Sequence, residues 1–296
     1  MAFEWPKGTS LNSPQTRKAL RQAILESIYL AKSGHPGGSF SMVEILTAIF
    51  DKNFHYDLKD FAAVANDHFV LSKGHGVPAY YAVLSALGLF PAMEMAKLRH
   101  YGHFLQGHPD RLRFSAMEAS TGSLGQGASV ALGMALGLRL DFQNKKLNRL
   151  PKVYCVLGDG ETQEGQVWEC LMACGKFQPG NLIFILDYNK GQIDGTTKEV
   201  MDLEPLVDKL RAFNLDVQEC DGHDVEKLSQ YFNQIEAKPQ AKTKFLVAHT
   251  IKGKGVSFIE HPNKWHGAAP NKEQLDQAIK ELFPEGSPQG SLLTAL

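Results

Sequence analysis

Residues 156–165 read VLGDGETQEG. They follow the apolar run KVYCVL (152–157) and precede a helical pattern from about Gln166 to Lys176, which makes the stretch a strand–turn–helix junction. A dinucleotide-binding turn at such a junction reads G-x-G-x-x-G, the glycines letting the backbone approach a pyrophosphate. Here Gln163 stands where the third glycine would be, and Asp159 lies between Gly158 and Gly160. Unit charges at close range repel by about 1–4 kcal/mol, so an acid beside a diphosphate is unfavourable unless a cation stands between them. With Mg²⁺, or another divalent cation such as Ca²⁺, bridging Asp159 to two phosphate oxygens, the acid becomes a ligand, and the helix N-terminus after Gly160 offers N–H groups to the same phosphates. Mg²⁺ demands further oxygens. Asn189 lies thirty positions on, at the carboxyl end of the next strand, and the Gly191 carbonyl follows within the turn DYNKGQIDG (187–195). Singly, Asp159 reads as a helix cap and Asn189 as a turn residue. On adjacent parallel strands, Asp159, Asn189 and Gly191 read together as metal ligands.

Outward from this junction the pattern alternates: strand NDHFVL, helix PAYYAVLSALGLF, a glycine turn feeding helix GASVALGMALGL, strand KVYCVL, strand NLIFILD, helix LEPLVDKLRAF, strand DVQEC, helix VEKLSQYFNQI and strand KFLVAHT. Near-continuous apolar strands separated by helices predict an α/β fold, a doubly wound, mostly parallel sheet with helices on both faces and its ligand at the carboxyl ends of the strands. At the amino end, Ser13 and Pro14 open a helix with the stripe Leu20, Ala23, Ile24, Ile28 and Ala31, closed by Gly34. The capping-box pattern Ser41-Met-Val-Glu44 predicts a second helix start, leaving SGHPGGSF as a turn. An amphipathic helix from Asn271 and a loose tail end the chain. Without repeats, low-complexity tracts or Pro/Ser-rich linkers, the reading is one domain, residues 1–296, with peripheral terminal helices.

With 31 basic and 32 acidic residues interleaved, the chain has no nucleic-acid footprint and no polybasic membrane patch. Its start, MAFEWPKGTS, is not a signal peptide, and its most apolar helix, residues 127–140, is shorter than the ~20 residues of a membrane span, so a cytoplasmic location is expected. The cysteines, Cys155, Cys170, Cys174 and Cys220, lack CxxC spacing and read as small buried residues. Of the eleven histidines, His35, His75, His108 and His266 adjoin glycine or sit in turns, where imidazole can donate, accept or relay a proton. His55, His68, His100, His103, His223, His249 and His261 read as surface or packing residues, and KGKG (252–255) as a flexible basic loop ahead of a phosphate-binding one.

The motifs SGHPGGS (33–39), SKGHG (72–76), QGHPD (106–110), STGSLGQG (120–127), GDGETQEGQVWE (158–169) and WHG (265–267) occur in the order found in transketolases. The chain resembles the amino-terminal half of that family, found as a separate subunit. The resemblance implies the thiamine-diphosphate-binding (PP-domain) fold, thiamine diphosphate with Mg²⁺ as cofactors, and reversible transfer of a two-carbon ketol unit from a ketose phosphate to an aldose phosphate. Carried over by position, it implies that Asp159, Asn189 and the Gly191 carbonyl bind metal and that Gly158 and Gly160 meet the diphosphate. His75 and His266 then lie near the diphosphate and the reacting carbon, while His35 and His108 contact substrate oxygens and assist proton transfer. Gly122, Ser123 and Leu124 meet the aminopyrimidine end, Ile193 flanks the cofactor, and Glu164 links two cofactor sites across an interface.

Three positions depart from the family pattern. Ser123 replaces a common proline, Gly191 stands where a bulky apolar residue is usual, and Lys190 is unusual there. In transketolases a second domain carries the glutamate that activates the cofactor's pyrimidine. About forty-five residues follow Ile251, fewer than a further domain of ~100–150 residues needs. The reading therefore expects a separate carboxy-terminal subunit supplying the pyrimidine domain and activating glutamate, in an α2β2 assembly. The alternatives are a 1-deoxyxylulose-phosphate synthase-like enzyme, a ketolase for an unusual sugar such as a sulfosugar, a nicotinamide oxidoreductase, and a non-catalytic binding subunit.

Overall fold

The five apolar runs form one wholly parallel sheet of order β1-β2-β3-β5-β4 in a computed structural model that describes residues 1–239, 241–261 and 263–295. The strands are β1 (His68–Leu71), β2 (Val153–Gly158), β3 (Leu182–Tyr188), β4 (Asp216–Asp221) and β5 (Lys244–His249). Every residue of β2 and β3 is buried, as a two-sided sheet requires, whereas the edge strand β4 leaves most of its positions partly open.

The helices are α1 (Pro14–Ala31), α2 (Pro36–Phe40), α3 (Val43–Lys52), α4 (Val77–Ala86), α5 (Gln126–Gln143), α6 (Gly165–Phe177), α7 (Thr197–Val200), α8 (Leu206–Ala212), α9 (Val225–Asn233) and α10 (Lys272–Leu282). Strand side chains alternate between two cores. Tyr154, Val156, Ile183, Ile185 and Leu246 pack with α1, α3, α4, α9 and α10, while Val153, Cys155, Leu157, Phe184 and Phe245 pack with α5, α6 and α8. The register Gly158↔Asp187 and Tyr188↔His249 brings the segments after β2, β3 and β5 out at the same edge.

Ser13 caps α1 as expected, its hydroxyl accepting from the Thr16 N–H at 3.1 Å. Three expectations are corrected. SGHPGGSF is not a simple turn, because Pro36–Phe40 is helical. The Ser41–Glu44 capping box does not form: α3 is capped at Met42, the Ser41 hydroxyl donates to Asp187 Oδ2 at 2.6 Å, and Glu44 ion-pairs with Arg21 at 2.8 Å. Buried charges claimed both groups that the local pattern assigned to capping. The tail is not loose either, since Leu292 is fully buried and its N–H donates to Glu26 Oε2 at 2.6 Å. Among the described residues no helix is long and apolar enough to cross a membrane, and Cys155, Cys170 and Cys174 are free and buried.

Candidate functional site

Beyond the carboxyl end of β2 the chain turns so tightly that Asp159 is 2 % exposed, and among the described residues its carboxylate is held by two backbone N–H groups. Oδ1 accepts from the Gly160 N–H at 2.8 Å and Oδ2 from the Lys190 N–H, so one acid ties together the segments after β2 and β3. Burial, then the charge of Asp187, pushes its pKa up to about 7. Asn189 is oriented from both ends: Nδ2 donates to Asp187 Oδ2 at 3.1 Å and Oδ1 accepts from the Gly191 N–H at 3.1 Å. The Gly191 carbonyl accepts from Lys252 Nζ at 2.9 Å.

These donors suit a hard divalent cation. Asp159 supplies a buried carboxylate that, among the described residues, has no ammonium or guanidinium hydrogen-bonded to it, and Asn189 and Gly191 supply neutral oxygens. Among the described residues no group of three or more His, Cys, Asp or Glu side chains is placed to hold a metal, so a cation here needs amide and carbonyl oxygens as well.

A cavity of about 220 Å³ opens beside this loop, lined by His75, Leu124, Gly158, Asp159, Gly160, Glu164, Asn189, Gly191, Ile193 and His266 together with Gly38, Lys73 and Lys252. Ten of the expected site residues therefore share one wall. Ile193 lies on it 68 % exposed, an apolar side chain left largely uncovered. His35, His108, Gly122 and Ser123 are not on that wall, and the first three border it. The His35 ring centroid is 5.4 Å from His75, 5.6 Å from His266 and 6.0 Å from His108. Gly122, at φ +132°, lies against His108: a Cβ there would come within 2.8 Å of its ring. Ser123 is exposed, so the place of the usual proline faces outward. Lys190 adopts a left-handed backbone, φ 62°, with its ammonium 5.5 Å from the Tyr188 ring.

All four loop histidines are held below the ordinary imidazole range. Burial dominates in each, followed by Arg99 for His35 (to about 4) and for His108, by Lys252 for His266 (to about 3), and by Lys73 for His75. Four histidines elsewhere keep carboxylate company: His68 with Glu118, His103 with Glu94, His223 with Glu44 and His249 with Glu219. Edge histidines facing cations stay neutral at pH 7, the state in which one nitrogen donates and the other accepts.

Sequence reasoning missed several residues. Lys73 is 1 % exposed and donates to the Gly38 carbonyl at 3.0 Å and to Asp187 Oδ2. Asp187, fully buried, also accepts from Ser41 and Thr250; burial pushes its carboxyl up, but Lys73 and these hydroxyls outweigh it and hold it low. Glu161 gathers the Gly125 N–H at 2.9 Å, the Gly158 N–H at 3.0 Å and the Ser72 hydroxyl. KGKG is not a flexible basic loop at its first residue: Lys252 is 4 % exposed and reaches His266 Nδ1 at 3.0 Å as well as the Gly191 carbonyl. A lysine following an apolar strand and flanked by glycine was the available signal.

The match to known proteins agrees with this geometry. Residues 13–286 match the family model described as transketolase, thiamine diphosphate binding domain. This chain belongs to the transketolase family. It is 40 % identical over 269 residues to the 6-deoxy-6-sulfo-D-fructose transketolase subunit SqwG of Clostridium sp. (strain MSTE9), covering 90 % of this chain and 95 % of that one. It is 38 % identical over 262 residues to an apulose-4-phosphate transketolase subunit of Phocaeicola vulgatus, covering 88 % and 90 %. The fold superposes on the solved transketolase of Leishmania mexicana with TM-score 0.86 and 29 % identity, covering 95 % of this chain but only 42 % of that one. The α/β thiamine-diphosphate-binding fold and the amino-terminal transketolase assignment thus hold.

Proposed function

We propose that this chain is the diphosphate-binding subunit of a two-subunit transketolase, moving a two-carbon ketol unit from a ketose phosphate to an aldose phosphate, and that residues 1–296 act as one domain. The observation that carries the reading is the buried Asp159, bonded by backbone amides to both cofactor loops and facing one cavity with Asn189, Gly191, His75 and His266. In this reading Asp159, Asn189 Oδ1 and the Gly191 carbonyl hold Mg²⁺ or Ca²⁺. The Gly158–Gly160 turn, Lys73 and Lys252 face the diphosphate. Leu124, Gly122, Ile193, Glu164, His75 and His266 surround the rest of the cofactor, with Ser123 on the exposed side of the same turn.

Thiamine diphosphate, when bound, supplies the electron sink for C–C cleavage. The chain's own part is positioning and proton exchange. His35 and His108, neutral at the rim, meet substrate oxygens; His75 and His266 crowd the reacting carbon and exclude water. The partner is a separate carboxy-terminal subunit with the pyrimidine domain and activating glutamate, in an α2β2, cytoplasmic, heterotetrameric enzyme serving the pentose phosphate pathway. A ketolase for an unusual sugar is the second reading, favoured by 40 % identity to a subunit named for a sulfonated fructose. The test combines the purified chain with a pyrimidine-domain subunit, thiamine diphosphate and MgCl₂, and measures ketol transfer from phosphorylated and sulfonated ketoses. Transfer only in the mixture supports the proposal. Full turnover by the chain alone refutes the split site, and no transfer from any ketose by any such mixture refutes the function.

A further inference from the structure

We propose that Arg99 is a positioning residue that locks His35 as the neutral Nε2–H tautomer, making this imidazole a hydrogen-bond donor toward the cavity. Arg99 Nη2 lies 3.5 Å from His35 Nδ1. A guanidinium only donates, so Nδ1 must present its lone pair and the proton must sit on Nε2. Nε2 lies on the other side of the ring, toward Gly267, where a Cβ would be 3.8 Å away, and makes no hydrogen bond among the described residues. Its proton is thus left for an incoming oxygen.

The fold fixes Arg99 from its backbone outward. Its backbone is left-handed at φ 62°, as at Lys32, Lys145, Gln178 and Lys190, and its N–H donates to the Leu105 carbonyl at 2.8 Å. Nη2 also donates to the Gly107 carbonyl at 3.3 Å, and a Cβ on Gly107 would come within 2.7 Å of Cζ, so the glycine makes room for the guanidinium. Arg99 Nε is buried and makes no hydrogen bond among the described residues. The other charged or titratable groups around His35 are His75, His108, His266, Lys73 and Lys252, and among the described residues none of them is hydrogen-bonded to Nδ1. A donor Nε2–H suits a substrate carbonyl or hydroxyl oxygen and excludes His35 from taking a proton at that nitrogen.

What the proton is used for rests on the transketolase reading; the tautomer does not, because it is measured without cofactor, partner or substrate. The experiment is ¹⁵N-histidine NMR of the folded chain at pH 7.5, with His35 assigned by its loss in His35→Gln. The expected result is an unprotonated Nδ1 and a protonated Nε2 in a single tautomer. An Nδ1–H tautomer or a doubly protonated ring overturns the proposal. In Arg99→Met the two nitrogen shifts should move toward each other as Nδ1–H becomes populated, and Arg99→Lys, which keeps a donor, should restore them. His35 shifts unchanged in Arg99→Met also overturn it, as does a loss of ketol transfer in that variant with the imidazole signals unmoved. If Arg99→Met fails to fold, the wild-type tautomer and Gly107→Ala, which displaces the guanidinium, give the same readout.

Discussion

Replacing Asp159 with asparagine should move stability and ligand response in opposite directions. The acid is 2 % exposed and its pKa rises from 3.8 to about 7 on folding, chiefly through burial. A group that binds its proton more tightly when folded loses stability as pH rises from the unfolded pKa to the folded one. By pH 8 the full cost of ionisation, at about 1.36 kcal/mol per unit, is about 4 kcal/mol. Asparagine has the same shape and no charge. Its single oxygen can serve the Gly160 or the Lys190 N–H but not both, and leaving one unpaired costs about 1–3 kcal/mol. Metal-free Asp159→Asn should therefore be about 1–3 kcal/mol more stable than wild type at pH 8, a Tm rise of several degrees at ~2–4 °C per kcal/mol, with the difference near zero at pH 5.5. Mg²⁺ with thiamine diphosphate should raise the Tm of wild type, by about 2.7 kcal/mol of stability at a hundred times Kd, and leave the variant unmoved. Thermal unfolding with EDTA at both pH values, then with MgCl₂ and cofactor, measures all of this. A variant that is less stable than wild type at pH 8 without metal, or one that gains the full ligand-induced shift, refutes the reasoning.

Lys252→Met should weaken thiamine diphosphate binding about tenfold to a hundredfold, the worth of a charge-assisted hydrogen bond, in isothermal titration with Mg²⁺ present; unchanged affinity would remove Lys252 from the diphosphate site. His35→Ala should spare cofactor affinity and lower ketol transfer in the reconstituted enzyme by about 10²–10⁴, so weakened binding with normal kcat would contradict its placement at the rim. Gly122→Ala puts a Cβ within 2.8 Å of the His108 ring at φ +132°, and should lower both stability and transfer, checked by denaturant unfolding and assay. Glu44 is held at about 2: burial alone would raise its pKa, but Arg21 and His223 outweigh it. Its pairing therefore stabilises fully above 4.5, the unfolded value, and is lost as pH falls through about 2, so Glu44→Ala, which strands a buried Arg21, should cost about 3–5 kcal/mol at pH 7 and much less at pH 2, read by denaturant unfolding at both pH values.

Strand and helix identity was legible in the chain because periodicity is local: all five strands and the long helices lie where the apolar pattern puts them. The meeting of Asp159, Asn189 and Gly191 on one cavity wall was legible too, since carboxyl ends of adjacent parallel strands converge whatever else the fold does. Local pattern failed where distant groups competed for the same atoms. Ser41 and Glu44 have capping-box spacing, yet Asp187, 146 positions after Ser41, takes the hydroxyl, and Arg21 takes the carboxylate. Lys73, Lys252 and Arg99 gave no periodic signal, because a buried cation is defined by what surrounds it.

Sequence alone thus determined which chemistry the chain carries: an acid between glycines, an asparagine one strand later, and histidines in turns. Tertiary structure alone decided the charge state of that chemistry. Ionisation depends on burial and on charges brought within a few ångströms from far along the chain, and no spacing rule encodes those distances. The four loop histidines show it most plainly: burial first, and then the cations packed against them, keep them neutral, and neither can be read from the residue type.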